Sequence, residues 1–553
     1  MKLANRISLT AALLGASMLT AIGCSSTESS NSTSSPSSSP AAAATAAATA
    51  SATAPAATGN ALVKPITFSF YGNYDWFTMD PWGNDSTSKW IVDNLKVNVT
   101  PIQSSGAAET KFSTMIASGS LPDVVMTDRG NSVERLRQAG MLVPLDEYLE
   151  KYPNIKKNVG SATLNMLRAD DGKSYQIPNW YTSSPNGNSG WIVNRKIYKE
   201  LGSPKLETFD DLYAYLKQVK EKVPNVIPLE VGPKGAGIDI MYSGFAENKP
   251  YLKKAAPAGN ELKSIFTESV FMENMKFASK LFREKLITQD LFTQTSDQLG
   301  EKLKTGRVAV YVDGDVVNPG GSATTALQQQ DKEAGYDVIW PIHKAGLDDK
   351  KITPSSFNSL GWNVLLITKK AKDPEAIFSY LDWVTSDEGQ RVTNFGPPGL
   401  YWDKTDAEGV PVQNEKFLTA TQAEKSKEKL GSFNWVGNTT FIDKTKSKMD
   451  SLLPPEKQNW TTQAQNKVTW KTSKDFTEFV NLDPLPDSAE GSIATIVNDI
   501  YTEVYAKALY AKSDAEVESL LKKAEEDAKR AGYDKLLKFQ TERWQSNLAK
   551  MKK

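Results

Sequence analysis

The sequence predicts an α/β protein that opens with parallel strands and ends in helices. Residues 66–71 alternate apolar side chains, a helix around Trp90 follows, and residues 97–102 form a second short strand. This β-α-β order implies a parallel sheet. At the other end, residues 493–510 and 534–548 are helical, with a further helix between them that opens at a capping box beginning with Ser513.

The next elements place polar residues at the end of a strand. Residues 107–118 form an amphipathic helix, and a short buried strand follows it and delivers Asp128 and Arg129 at its end. Ligands of open α/β sheets bind outside the C-terminal ends of the strands. We therefore expect the loops after Tyr71 and Met126 to face one crevice.

The middle of the chain alternates strands and helices. Residues 191–194 form a strand, and Thr208 is an N-cap with acidic residues in the first helical turn behind it. Residues 307–312 form a strong buried strand, and residues 362–367 form another. Pro374 stands at the first position of a later helix.

The first 24 residues have the pattern of a secretory signal. Lys2 and Arg6 precede a short apolar core, and small residues lead to Cys24, the only cysteine in the chain. The segment resembles a bacterial lipoprotein signal, in which this cysteine is lipidated, although Ala21 stands where leucine is usual. The alternative is an ordinary signal peptide with an incidental or a buried structural cysteine.

Residues 25–60 predict a flexible tether. They are almost entirely Ser, Ala, Thr and Pro without apolar periodicity. Such a segment buries too little surface to offset its chain entropy, so we expect a disordered spacer between the membrane and a folded body.

Composition excludes several classes of function. Lys and Arg total 65, as do Asp and Glu, so the sequence has no basic footprint for nucleic acid. A single His and a single Cys exclude a Cys/His zinc site and a disulfide. No phosphate-binding loop motif is present, and no later stretch approaches the roughly 18–20 apolar residues that span a bilayer. We predict no cofactor, no metal and a body that touches the membrane only through its lipid anchor.

Several segments together resemble one family. They are Phe112–Val125 with its Ser-Gly-Ser-Leu-Pro-Asp-Val-Val, Ala139–Leu149, Trp191–Leu216, Gly306–Val312 and Trp362–Gln390. The chain is similar to extracellular solute-binding proteins of ABC importers, in the carbohydrate-associated group and its large lipoprotein subgroup.

The resemblance implies a two-lobe, periplasmic-binding-protein-like (type II) fold with hinge crossings and a helical C-terminus. Ligand binding would close the lobes, and the protein, a monomer, would pass its ligand to the transmembrane subunits of an ABC permease. On this basis we assign residues 61–185 with 335–370 to lobe 1, and residues 186–334 with 371–553 to lobe 2. The implied crossings lie near residues 180–190, 313–334 and 369–373.

Ligand-binding candidates follow from the chemistry of sugars, which offer flat C–H faces to aromatic rings and hydroxyls to carboxylates, amides and arginine. Each candidate has a structural alternative, such as a packing cluster, a surface ion pair or a cap. The candidates are Asp75, Trp76, Asp80 and Trp82 after the first strand; Asp128 and Arg129; Asn179, Trp180 and Tyr181 by the first crossing; Asp313 and Asp315; Trp362 and Asn363; and Trp402 and Trp435 in loops of the second lobe.

Two other functions remain open. A surface glycoside hydrolase or lyase could use Asp75 with Asp80, or Asp313 with Asp315, as paired carboxylates. A binder of peptides or lipids could use the same fold. We expect a binding protein for an oligosaccharide and not an enzyme, because nothing in the sequence requires catalysis.

Overall fold

The computed structural model describes residues 62–552. The predicted signal peptide, the lipidation site Cys24 and the tether lie outside the described residues. The strands are β1 (Ile66–Gly72), β2 (Val97–Ile102), β3 (Val124–Asp128), β4 (Ile177–Asn179), β5 (Gly190–Asn194), β6 (Ile227–Val231), β7 (Ala255–Ala258), β8 (Glu261–Ser264), β9 (Val308–Asp313), β10 (Tyr336–Ile339), β11 (Ser355–Phe357), β12 (Asn363–Ile367), β13 (Trp402–Thr405), β14 (Pro411–Gln413) and β15 (Ser473–Asp475).

Helices cover both faces of the two larger sheets. They are α1 (Ser86–Leu95), α2 (Ala108–Ser118), α3 (Asn131–Gln138), α4 (Asp146–Lys151), α5 (Pro153–Val159), α6 (Ser161–Met166), α7 (Arg195–Glu200), α8 (Phe209–Lys222), α9 (Ala236–Tyr242), α10 (Ser269–Arg283), α11 (Ser296–Lys304), α12 (Val317–Gln328), α13 (Pro374–Val384), α14 (Asp387–Phe395), α15 (Glu415–Thr419), α16 (Gln422–Lys427), α17 (Thr439–Ser451), α18 (Trp460–Ala464), α19 (Ala489–Leu509), α20 (Asp514–Arg530) and α21 (Tyr533–Met551).

The first lobe is built on a five-stranded sheet of order β2-β1-β3-β12-β4. As the β-α-β pattern predicts, β1 runs parallel to β2 and to β3, whereas β12 is antiparallel to β3 and β4. Asn363 at the start of β12 is paired with Asp128 on one side and Asn179 on the other. The ends of β1 and β3 and the beginning of β12 therefore share one edge of the sheet.

Aromatic residues fill the core of this lobe. Phe68 and Phe70 are buried in β1, and Tyr380 of α13 lies 6.1 Å from Phe68 between ring centroids. Trp435 stacks on Phe70 at 4.1 Å. Elements far apart in sequence are thus held on one face of the sheet by ring contacts.

The second lobe is built on a four-stranded sheet of order β10-β5-β9-β6. Helices α8, α9, α10 and the C-terminal α19–α21 share the core on one face, and α11 and α12 pack on the other. Leu521 of α20 is fully buried in the core that these helices share.

The chain passes between the sheets at three places. Residues 180–189 join β4 to β5, and residues 340–362 join β10 to β12. Residues 452–459 join α17 to α18. Helix α17 contacts α14 in the first lobe, and α18 contacts α12 in the second. β11 in the second passage pairs in parallel with β15, which follows α18 in the chain. Backbone hydrogen bonds therefore tie the second passage to the segment that follows the third.

The predicted lobe boundaries and two predicted crossings need correction. β10, within 335–370, pairs with β5 in the second sheet, and α13, within 371–553, lies in the core of the first lobe. Residues 313–334 contain α12 and remain in the second lobe, while residues 369–373 connect β12 to α13 within the first. The physical reason is that the buried stripe of α13 fits the aromatic core around β1.

Among residues 62–552, no helix combines the length and the apolar character that crossing a membrane requires.

Candidate functional site

Three aromatic side chains, one half-buried and two exposed, form a cluster at the shared edge of the first sheet. We call Tyr74, Trp76 and Trp362 the aromatic platform. Tyr74 stacks on Trp76 with ring centroids 5.0 Å apart and an interplanar angle of 19°, and Trp362 lies 5.4 Å from Tyr74 and 6.3 Å from Trp76. Trp76 is 63% exposed and Trp362 is 46% exposed. Exposed neighbouring rings of this kind offer a surface to an apolar ligand face.

The order of the strands explains why these rings meet. Tyr74 and Trp76 lie in the loop that leaves the end of β1, and Trp362 directly precedes β12. β3 separates β1 from β12 in the sheet, and its last residue, Asp128, is paired with Asn363. Residues distant in sequence are therefore brought above the end of β3.

Two charged side chains contact the platform or the backbone next to it. The Tyr74 hydroxyl donates a hydrogen bond of 2.8 Å to Oδ1 of Asp128. Burial, and then this hydrogen bond, raise the pKa of Tyr74. Nη1 of Arg129 donates to the carbonyl oxygen of Gly361, the residue before Trp362. Asp128 and Arg129 thus orient two members of the platform.

Asp128 and Arg129, which contact the platform and the segment before Trp362, also line a cavity of about 540 Å³ that both lobes enclose. Asp128 and Arg129 line it from the first lobe, and Arg543 and Lys550 of α21 line it from the second. A volume of this size is in the range of about 300–1,000 Å³ that is usual for ligand pockets. The cavity is therefore the natural place for a solute that contacts both lobes.

Other predicted residues near the first β-strand have structural roles. Oδ1 of Asp75 accepts a hydrogen bond of 2.8 Å from the backbone N–H of Ala108 at the start of α2. Asp80 forms an ion pair with Lys429. The indole N–H of Trp82 donates to the Val97 carbonyl at 3.0 Å, and its ring packs into the core of the first lobe.

Five further candidates are buried, which corrects the prediction that they contact ligand directly. Trp402 and Trp435 belong to the packing of the first lobe and not to loops of the second, because Trp402 donates to the Gly396 carbonyl and Trp435 stacks on Phe70. The buried candidates are Asn179, Tyr181, Asn363, Trp402 and Trp435, with exposures between 0% and 6%.

The backbone of Trp180 lies beside the platform, and its φ of 59° is in the left-handed region. Its peptide group contacts Gly361, where any Cβ would overlap the backbone of Asn179 and Trp180. Gly361 itself has a φ of 69°. This close approach requires glycine at position 361, because an L side chain would meet both steric overlap and backbone strain.

The predicted acidic pair of the second lobe is engaged within the protein. Asp313 accepts a hydrogen bond of 2.6 Å from the Tyr311 hydroxyl, and burial raises its pKa. Asp315 accepts from the backbone N–H groups of Val317 and Asn318 at 3.1 and 3.0 Å, and so caps α12. Within the described range, no group of three or more His, Cys, Asp or Glu is arranged to hold a metal ion.

Of the predicted site residues, the structure brings together Trp76, Asp128, Arg129 and Trp362, with Trp180 alongside. Sequence reasoning missed Tyr74, although it lies two residues from Trp76 in the same loop and the rule for strand ends applies to it equally. It also missed the contribution of α21, because nothing in a helical pattern indicates which lobe faces it.

Comparison with known proteins identifies the family. The profile of the bacterial extracellular solute-binding protein family matches residues 93–391. Lipoprotein LipO of Bacillus subtilis (strain 168) is 24% identical over 353 residues, which cover 59% of this chain and 65% of LipO, somewhat less than two thirds of that relative. The chain belongs to the bacterial extracellular solute-binding proteins, as the sequence resemblance predicted.

Solved structures agree on the fold. The alginate-binding protein AlgQ2, crystallised without calcium ion, has a TM-score of 0.65 at 20% identity, over 87% of this chain and 98% of AlgQ2. The S. pneumoniae ABC-transporter substrate-binding protein FusA, in complex with kestose, has a TM-score of 0.63 at 16% identity, over 88% and 100% of the two chains. The chain therefore has the two-lobe fold of these binding proteins, and the predicted fold class is confirmed.

Proposed function

We propose that this protein captures a carbohydrate, in particular an oligosaccharide, between its two lobes and delivers it to an ABC permease. The observation that carries the proposal is the aromatic platform next to Asp128 and Arg129, two residues that also line a cavity between the lobes. Flat rings cover the C–H faces of sugar rings, while the neighbouring Asp128 and Arg129 supply hydrogen-bonding groups. The names of AlgQ2 and FusA, which refer to alginate and kestose, support a carbohydrate.

Binding without catalysis fits the state of the acidic residues. Asp75 and Asp315 each accept backbone N–H groups at the start of a helix, and Asp80 is paired with Lys429. These carboxylates are occupied by structural contacts, whereas paired-carboxylate hydrolysis needs an acid and a base that reach the substrate. We propose a binding protein and not an enzyme.

A thermal-shift screen of the purified protein tests the function. The panel contains neutral oligosaccharides, acidic oligosaccharides and short peptides, and each sugar is analysed for cleavage after incubation. A ligand at a hundred times its dissociation constant should stabilise the protein by about 2.7 kcal/mol, a readable rise in Tm. Stabilisation by an intact sugar supports the proposal. Stabilisation by peptides alone, or cleavage of the sugar, would refute it.

Lobe closure is the proposed response to ligand. A solute that contacts both lobes favours the conformation in which both sets of contacts are made, and the three connecting passages are the places where the backbone would bend. Small-angle scattering should show a smaller radius of gyration with ligand than without it. An unchanged radius at saturating ligand would contradict closure.

A lipid anchor at Cys24 is the proposed membrane attachment, with the protein acting as a monomer at the extracellular face. Expression of the full chain in a bacterial host and detergent-phase partitioning test the anchor. The wild type should enter the detergent phase, and Cys24→Ala should move to the aqueous phase. Equal partitioning of the two proteins would rule out lipidation at this residue.

A further inference from the structure

Arg129 is the partly buried cation of the cavity whose guanidinium makes no hydrogen bond to a carboxylate of the described residues. Its side chain is partly buried, and burial lowers its pKa to about 10. Nη1 has the Gly361 carbonyl as acceptor, while Nε is buried and, within residues 62–552, has no hydrogen-bond partner. Arg129 also forms no ion pair in the described part of the chain. Asp128 nearby partly offsets this loss of solvation, but no carboxylate that the structure describes hydrogen-bonds the guanidinium, so part of the cost of burying its charge remains.

The other arginines of the first lobe that line the cavity differ in this respect. Arg137 pairs with Glu134 at 2.5 Å, and Arg168 pairs with Asp146 at 2.6 Å. These side chains already have a carboxylate at bonding distance. Arg129 is therefore distinguished by its surroundings and not by its residue type.

The second lobe contributes cations on the opposite wall. Arg543 is exposed with its guanidinium 5.3 Å from the ring centre of Phe539, and Lys550 donates to the carbonyl of Arg168. Neither forms an ion pair among the residues that the structure describes. An anion inside the cavity would thus meet positive charge from both lobes.

Of the carboxylates that line the same cavity, Asp128 offsets the charge of Arg129 only in part, and Glu134 is paired with Arg137. Asp128 is exposed and accepts the Tyr74 hydroxyl, and Asp170 and Asp483 are exposed. Exposed carboxylates are solvated and screened by salt, so their repulsion of a bound anion is weak. The partly buried cation has the stronger effect on a ligand group that reaches it.

We infer that the ligand is an acidic oligosaccharide and that Arg129 binds the carboxylate of a uronate ring lying on the aromatic platform. This inference rests on the proposed function and names its substrate class. Arg129 follows Asp128, which holds Tyr74, and it holds the backbone next to Trp362. A ring on the platform is therefore within reach of the guanidinium, and planar arginine suits the two oxygens of a carboxylate.

Matched ligands test the inference. Oligogalacturonates and alginate oligomers are compared by calorimetry with their carboxyl-reduced counterparts, which keep the ring geometry and lose the charge, and with sulfated oligosaccharides. We expect at least one acidic oligomer to bind about 10- to 100-fold more tightly than its reduced form, the scale of a hydrogen-bonded charged pair. Raising the salt concentration should weaken binding of the acidic form only.

Three variants separate ligand binding from local structure. Arg129→Gln should weaken binding of the acidic form much more than binding of the reduced form and so abolish the preference, and Arg129→Lys should keep part of the preference. Arg168→Gln removes a cavity charge that is already paired and should keep the full preference. Thermal unfolding confirms that each variant is folded. The salt dependence of binding is measured on the wild type, so that test does not depend on the folding of any variant.

Each outcome decides a separate point. Equal binding of acidic and reduced oligomers overturns the inference and leaves the proposed function standing, and a preference for sulfated sugars overturns the carboxylate assignment. An acidic preference that survives in Arg129→Gln, or equal losses for both forms as expected of a residue that only positions Trp362, overturns the role of Arg129. If no oligosaccharide binds at all, the proposed function itself fails.

Discussion

Removal of the most exposed ring of the platform is the sharpest test of the site. An indole buries up to about 250 Å², so the 63% exposed fraction of Trp76 leaves about 160 Å² uncovered. A sugar ring that covers one face removes roughly half of that, about 80 Å², which at about 25 cal/mol per Å² contributes about 2 kcal/mol. For Trp76→Ala we therefore expect a Kd about 25-fold higher, measured by calorimetry with whichever oligosaccharide the thermal-shift screen finds.

Trp82 supplies a matched control from the same loop. Its indole N–H donates to the Val97 carbonyl and its ring packs edge-on against Phe433 at 5.1 Å. Trp82→Ala should lower the free energy of unfolding by about 3 kcal/mol, through lost packing and an unpaired carbonyl, and leave Kd within about threefold. The reasoning is refuted if Trp76→Ala binds ligand within twofold of wild type, or if Trp82→Ala loses ligand without a fall in Tm.

Three further substitutions have definite expected outcomes. Gly361→Ala should lower both Tm and ligand affinity because its Cβ overlaps the backbone of the first crossing. Gly346 has open space around it and a similar φ of 87°, so Gly346→Ala should lower the free energy of unfolding by only about 1 kcal/mol and keep the affinity. Equal effects of the two substitutions would contradict this reasoning. Burial raises the pKa of Asp239 from 3.8 to about 6, so its buried charge costs stability above pH 6 and that cost is lost as pH falls towards 4. Asp239→Asn should then raise Tm at about pH 7.5 and change it little near pH 4.5, and a gain that is equal at both pH values would be inconsistent with a raised pKa. Asp315→Ala should lower stability by about 1 kcal/mol through loss of the cap of α12 and leave Kd unchanged, so a large loss of affinity in a stable variant would assign Asp315 to the site.

Sequence patterns predict the first sheet well because its first strands and helices follow one another along the chain. The β1-α1-β2 order and the short buried β3 are visible in sequence periodicity, and parallel strands bring the ends of β1 and β3 to one edge. That rule alone places Trp76 and Asp128 near each other. Residue alternation says nothing about which sheet a strand joins, so β10 was assigned to the wrong lobe.

The same limit explains why the sequence does not separate exposed tryptophans from buried ones. Trp76, Trp82 and Trp435 all lie in stretches without periodicity, so sequence gives each an equal claim. What separates them is tertiary: the chain after Trp76 folds back until the Trp82 indole reaches the carbonyl of Val97, and Trp435 arrives from more than three hundred residues away to stack on Phe70. Such contacts depend on the packing of the whole lobe and leave no local signal.

The platform is also joined to the passages between the lobes. Trp362 ends the second passage, Gly361 before it lies against the backbone of Trp180 in the first, and Arg129 binds the Gly361 carbonyl. A ligand that rests on Trp362 and reaches Arg129 would therefore act on the segments that must bend if the lobes close. Binding energy at the platform and the hinge conformation are then coupled, and a substitution at Gly361 should change the ligand-induced decrease in radius of gyration together with the affinity.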